Sequence, residues 1–457
     1  MTKETSPAHS AEHRVYQQEL KRVLSLPDLL IYGMIFMVPI SPMVVYGYVA
    51  QQSHGMVPFV YLVGIIAMLF TALSYREMSK KFPIAGSVYS YVQRGLNPHV
   101  GFIAGWMILA DYLIIPAQLY AFSAIWIHGL VPGVPTWVWV ILFAVAITLI
   151  NVRGITIMNG ANWILLVIEL IALILFLIFA FRYVFLLHHG AAGWSMQPFY
   201  QPGKINAGFI ASATSIAALS FLGFDGISTL SEEAKRPTRD VGNATVLALI
   251  VLGILFMLQT YVAALVHPNF QNLDPNLGFF QISRQAGGTF LYDFILIVTI
   301  IAAGIANTLV AQSAVSRILF AMGRDDLLPF SGFFSKVHSR TQTPLNSTLL
   351  VAVISVILAL AVPAEDLIRF INFGALTSFM FLNATVLIYF YIRQRQYGHI
   401  VRYLVLPLIG FAIITYVWTG FDRPTFIFGL SWLVVGIIVG AIKSNFYKKT
   451  PAVLEGI

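Results

Sequence analysis

The chain has 457 residues, of which 58% are hydrophobic and 10% charged, with a mean hydropathy of +0.81, values that soluble domains do not reach. The composition therefore specifies an all-α polytopic membrane protein, and twelve spans of roughly 20 residues would use nearly all of its apolar positions. It has no cysteine, which excludes disulfides and thiolate metal or catalytic sites, and its formal net charge of +8 comes from Lys and Arg scattered over short loops rather than in a stripe suited to nucleic acid.

Residues 1–26 are polar and carry no apolar run followed by a cleavage site, so they are expected to be a cytoplasmic tail. Apolar runs bounded by Gly, Pro or charge then follow at about 27–50, 56–76, 98–127, 135–151, 160–187, 206–231, 243–266, 288–322, 343–362, 367–392, 403–420 and 424–442. With the N-terminus inside, cytoplasmic segments hold 22 of the 27 Lys and Arg and the other side holds 5. That asymmetry places both termini in the cytoplasm of a plasma (inner) membrane protein. The expected organisation is a ten-span core over 27–392, two further spans over 393–442 and a tail over 443–457.

The first and sixth spans carry helix-breaking residues near mid-depth, in PISP (Pro39 to Pro42) and FLGFDG (Phe221 to Gly226). They are five spans apart and start on opposite sides, so the breaks occupy matching places in two halves of inverted topology. Paired broken helices are the sequence pointer to an inverted-repeat secondary transporter with its site between them; the alternative is that Pro and Gly merely pack helices. The unpaired backbone groups of Val38, Pro39, Ile40, Ser41 and Pro42 would present a helix N-terminus to a carboxylate. Carbonyls around Ser220, Phe221 and Leu222, with Phe224 and Asp225 after them, would suit an ammonium group. Together they predict a small-molecule amine or amino acid as substrate.

Ionisable residues inside a membrane are functional candidates by default, and three lie here: Asp111, Glu169 and Asp225. Asp225 either meets an amine or caps the second half of its span. Tyr112 offers an aromatic face for a cation, while Asp111 beside it reads either as a coupling group or as a structural hydrogen-bonding partner. Glu169 lies about 13 Å into the fifth span among Leu and Ile, and is either the group that takes up and releases a coupling proton or a permanently protonated partner between helices. Glu232 and Glu233, after the sixth span, suit a cytoplasmic helix end or inner gate. Asn307 and Gln312 in the eighth span either contribute to the site or, the preferred reading, make helix-packing hydrogen bonds. No metal site and no cofactor is expected, the proton being the coupling ion, and the last two spans are expected to scaffold the core or contact a second subunit, as monomer or homodimer in the bilayer.

The stretches FPIAGSVYSYVQRGLNPHVGFIAGW, SFLGFDGISTLSEEAKRPTRDVGNA, AVSRILFAMGRDDLLP, TPLN and INFGAL resemble the amino acid–polyamine–organocation superfamily, most closely its bacterial putrescine importers. The resemblance runs from about residue 24 to 440. It implies a five-plus-five inverted repeat with broken helices 1 and 6 plus two C-terminal helices, proton-coupled uptake of amines or amino acids by alternating access, and substrate contact at Asp225. Importer, exchanger and non-transporting sensor share these motifs. In the putrescine importers an acidic residue follows the first break, where this chain has Val44, and glutamine stands where this chain has Glu169. The first departure counts against a diamine, which needs two negative or carbonyl-rich ends.

Overall fold

The computed structural model describes residues 22–84, 87–153, 158–324, 328–338, 343–444 and 446. Most of both expected tails lies outside these residues, as do Ala85 and Gly86 of the first motif and Asp325 to Leu327 of the third. Among the described residues the chain is helical, its only extended pairing being an isolated bridge between Leu24 and Ala234.

The first span is broken into Leu26–Met37 and Ser41–Gln52, bent by 46°. Among the described residues ten long apolar helices account for spans two to eight, ten, eleven and twelve once the sixth and eighth are taken with their irregular turns: Val57–Lys81, Pro98–Leu130, Thr136–Arg153, Trp163–Leu186, Ala207–Leu230, Pro237–Val266, Gly278–Phe320, Ala364–Arg393, Val401–Trp418 and Arg423–Lys443. The 17-residue helix Leu345–Ala361 supplies the ninth. Starts are set locally. Asn97, Asn206 and Asp422 accept from the backbone N–H groups of Val100, Phe209 and Thr425 at 2.9, 2.9 and 3.0 Å, and proline occupies the first turn of several spans, where its missing N–H costs nothing. The eighth span is preceded by a separate helical segment and turns at Gly288, whose φ of 71° a side chain would disfavour. This matches the run expected to begin at 288.

Span two packs along span seven and span three along span ten. Span twelve is fastened to span three by a reciprocal clamp: Trp106 and Trp432 stack at 4.8 Å, and each indole N–H donates to the other residue's carbonyl, at 2.9 and 2.8 Å. Ile427, Leu430, Val434 and Ile438 on that span, and Ile164, Ile171, Ile174 and Ile178 on span five, are exposed. Such rows are the outer wall of a multi-pass membrane protein, for which lipid is the solvent.

The end of the bundle reached by Gln51 is closed. Tyr48 donates to Asn276 Oδ1 at 2.6 Å and Gln51 Nε2 to the Leu273 carbonyl at 3.0 Å. Gly47 lies so close to the chain that an added Cβ would sit 2.4 Å from the Asp274 carbonyl oxygen and 2.5 Å from that of Pro275. Gly47→Ala is therefore expected to push this closure apart, at a cost of about 1–3 kcal/mol. Thermal unfolding of the purified variant measures it, and an unchanged midpoint would mean that the loop yields freely.

Candidate functional site

Both breaks arise where the sequence denies the helix its next hydrogen bond. After Met37 the chain turns at Val38 (φ 57°, ψ 104°), Pro39 has no N–H to give, and the second half restarts with Pro42 in its first turn. The freed Pro39 carbonyl accepts from Gln259 Nε2 of span seven at 3.0 Å. In span six an α-helix, Ala207–Ala217, tightens to a 3₁₀ turn at Ala218–Phe221 and opens at Leu222 and Gly223. It resumes as a second 3₁₀ segment, Phe224–Leu230, where an α-helical half was expected. The segment is held by its hydroxyls: Ser228, Thr229 and Ser231 donate to the carbonyls three residues earlier, each at 2.6 Å.

The two breaks touch. Gly223 has φ 108°, and a Cβ there would lie 2.9 Å from the carbonyl oxygen of Phe36. Beside this contact lies a cavity of about 100 Å³ whose walls include Val38, Ser41, Val44, Asp111, Tyr112, Gln118, Leu222, Asp225 and Asn307. It continues through Phe36, Val38, Tyr112 and Asn307 into a vestibule of about 490 Å³ that adds Tyr32, Glu169, Thr229 and Arg317. The vestibule leads toward the end of the bundle where the first span begins.

Of the residues singled out by sequence, Val38, Ser41, Leu222, Asp225, Asp111 and Tyr112 are brought together around the inner cavity, and Glu169 lines the vestibule. Pro39, Ile40, Pro42, Ser220, Phe221 and Phe224 are not among the lining residues. Ser220 Oγ instead pairs with Tyr61 Oη at 2.8 Å, and Phe224 packs against Tyr75 and Phe379. Glu232 and Glu233 line neither space; the Glu233 carbonyl accepts from the backbone N–H groups of Val23 and Leu24, both at 2.9 Å, tying the segment before the first span to the turn after the sixth.

Asp225 is buried, and its Oδ2 accepts from Ser87 Oγ at 3.1 Å, while Ser87 Oγ also meets Tyr75 Oη at 3.1 Å. The backbone amides of Gly223 and Gly226 face the same carboxyl. Asp225 is thus anchored at one side and open to the cavity at the other. Asp111 is equally buried, interacts electrostatically with Asp225, and its Oδ1 has no hydrogen-bond partner. Oε2 of Glu169 is unpartnered too. A buried carboxyl oxygen left without a donor costs stability, so each of these two oxygens has room for a donor that the described side chains do not supply.

Sequence reasoning missed Ser87, which reaches Asp225 from a short helix, Ser87–Gly95, between spans two and three. Of the two readings of Asn307, packing or site, it preferred packing, and Asn307 lines both spaces. Asn307 ends a π-helical stretch, Ile300–Asn307, in span eight, whose register a 3.6-residue period does not forecast. Gln312 does serve packing, bonded to Asn151 and Thr148 of span four at 2.6 and 2.9 Å.

The family model described as amino acid permease matches residues 29–453. The chain is 31% identical to the low-affinity putrescine importer PlaP of Escherichia coli K12, over 97% of this chain and 98% of that protein. It is 26% identical to the branched-chain amino acid permease BcaP of Bacillus subtilis, over 95% of each. It is 29% identical to the cationic amino acid transporter 4 of Mus musculus, over 82% of this chain and 61% of that one.

Tyr112 lines the same inner cavity as the carboxyl groups of Asp111 and Asp225, a setting that would favour an organic cation. Tyr112→Phe is expected to retain most of the affinity for such a cation and Tyr112→Leu to lose about 0.5–2 kcal/mol. Calorimetric titration of both variants with a panel of primary amines checks this; equal affinities would reduce the ring to filler.

Proposed function

The chain belongs to the amino acid permease family, and on that premise we propose that it imports a small cationic amine by alternating access, coupled to protons. It is a membrane transporter of amino acids or amines and not an enzyme. The observation that carries the finer reading is the convergence of Asp111, Tyr112 and Asp225 on one small cavity beside the two breaks. No lysine or arginine lines that inner space, so its carboxylates lack a resident counter-ion and a guest cation fits them.

The first-span position at which putrescine importers are acidic is Val44 here, and it faces the cavity. The reading for a diamine is that the second charge is met from span three, by Asp111, while Asp225 meets the first. An amino acid is the second reading, favoured by Ser41 at the start of a half-helix that could receive a carboxylate. With the Lys and Arg excess taken as cytoplasmic, the vestibule opens inward, and the Tyr48–Asn276 closure seals the outside.

A desolvated charge pair stripped of one partner loses about 3–5 kcal/mol. Asp225→Asn is expected to raise KM about a hundredfold or more for both monoamines and diamines, whereas Asp111→Asn does so for diamines alone. Uptake by proteoliposomes with each class of substrate is the measurement. Equal kinetics of Asp111→Asn and wild type on a diamine remove Asp111 from the second subsite, and a preference for neutral amino acids in the wild type overturns the amine reading.

Glu169 supports the coupling reading because it lines the vestibule and keeps one carboxyl oxygen without a hydrogen-bond partner, so that water in that space could deliver and collect a proton. Glu169→Gln imitates the protonated form. It is expected to abolish accumulation driven by an inward proton gradient while leaving substrate exchange. Retained uphill uptake in response to pH would make Glu169 a packing residue, and a need for internal counter-substrate in the wild type would make the protein an exchanger.

A further inference from the structure

A second polar cavity, of about 290 Å³, lies far from the breaks, between the last turns of span two and the first of span eleven, and it is lined by Arg76, Glu77, Lys80, Arg402, Leu406 and Pro407 among others. Three cations share it with a single carboxylate. Both oxygens of Glu77 are already engaged, one by Lys80 Nζ at 3.2 Å and the other by Arg402 Nη2. Arg76 has no acidic partner among the described residues, and its Nε is buried without an acceptor. The pocket therefore carries an excess of about two positive charges and one orphaned guanidinium donor, an arrangement that is costly unless an anion completes it.

The cations are held in place rather than merely solvated. The Arg402 guanidinium stands 5.3 Å over the Tyr403 ring, and that ring is stacked at 4.6 Å on Phe390. Glu77 is buried while Arg402 and Lys80 are partly open, at 39% and 31% side-chain exposure, so the face offered to a ligand is the basic one. Leu73, Leu406 and Pro407 form the apolar part of the wall, and on the same span Val405 and Leu408, next in sequence to Leu406 and Pro407, are exposed. The pocket thus combines a phosphate-sized basic recess with an apolar surface running away from it along the lipid-facing side of span eleven.

We propose that this pocket binds the phosphate group of an anionic membrane lipid, the guanidinium groups of Arg76 and Arg402 and the ammonium of Lys80 holding the headgroup while the acyl chains lie along Val405 and Leu408. Guanidinium groups pair with phosphate through parallel N–H···O bonds, and basic recesses between spans at the positive end of a membrane protein are where such headgroups settle. Free phosphate shares the chemistry but gains nothing from the apolar flank.

The test is thermal unfolding of the purified full chain in a neutral detergent, at constant ionic strength, with dioctanoyl phosphatidylglycerol, dioctanoyl phosphatidylcholine or sodium phosphate. Phosphatidylglycerol is expected to raise the midpoint by about 2 °C or more, the other two not to, and Lys80→Gln and Arg402→Lys each to reduce the gain. An equal rise with sodium phosphate overturns the lipid assignment in favour of a soluble anion. No rise, an equal rise with phosphatidylcholine, or an unchanged rise in both variants overturns the site. Native mass spectrometry of the wild-type chain needs no variant: one retained phosphatidylglycerol in preference to phosphatidylcholine is expected, and equal retention overturns the proposal.

Discussion

Everything in this molecule turns on the contact of two interrupted helices at a depth where water does not satisfy backbone groups. An unpaired N–H or C=O in hydrocarbon costs several kcal/mol, so the interruptions persist only because neighbours meet them. Gln259 takes the Pro39 carbonyl, and the hydroxyls of Ser228, Thr229 and Ser231 take carbonyls of span six. Gly223, in a backbone conformation that excludes a side chain, lets the second break lie directly on Phe36 and Met37 of the first. Of the three carboxyl groups singled out within the spans, Asp111 and Glu169 each keep one oxygen without a hydrogen-bond partner, and both residues line open space.

The same constraint makes the two ends of the bundle unlike. Beyond the breaks, the second half of span one is buried along nearly its whole length and packs backbone to backbone at Gly47. Before the breaks, Tyr32, Ile35 and Phe36 line the vestibule. One end is therefore dry and complementary, and the other is wide enough for a solute and its water.

Spans, breaks and polar residues were legible in the sequence because each has a local cause. Twenty apolar residues between charges cross a bilayer whatever surrounds them, and Pro39, Pro42 and Gly223 interrupt a helix by their own covalent structure. Which side chain of a broken segment looks inward was not legible. Ser220 and Phe224 flank the opening of span six yet turn toward Tyr61 and Tyr75, in stretches that wind as 3₁₀ rather than α-helix on both sides of it. Ser87 meets Asp225 across 138 positions of chain, and the π-helical stretch before Thr308 shifts the register of span eight. Such departures are decided by tertiary packing and leave no periodic trace.

The placement of the two carboxylates suggests how a bound amine would be felt by the whole protein. Asp225 belongs to a unit in which the first half of span one, the second half of span six and the start of span seven are joined. Ile227 fills the space above Gly33, Leu29 packs with Ala234, Val241 and Ala248, and Leu24 pairs with the chain at Glu233 and Lys235. Asp111 and Tyr112 belong instead to span three, which is locked to span ten by the approach of Gly374 to the Met107 carbonyl and by the bond from Ser378 Oγ to the Ala104 carbonyl at 3.1 Å. A ligand shifts a conformational equilibrium only by as much as its affinity differs between the states. On the proposed reading a cation spanning Asp225 and Asp111 would have that property, because its two contacts would lie on different units and be made together at only one separation of them. A cation held by Asp225 alone would travel with its unit and favour neither state, so the second carboxylate is where binding would be converted into movement.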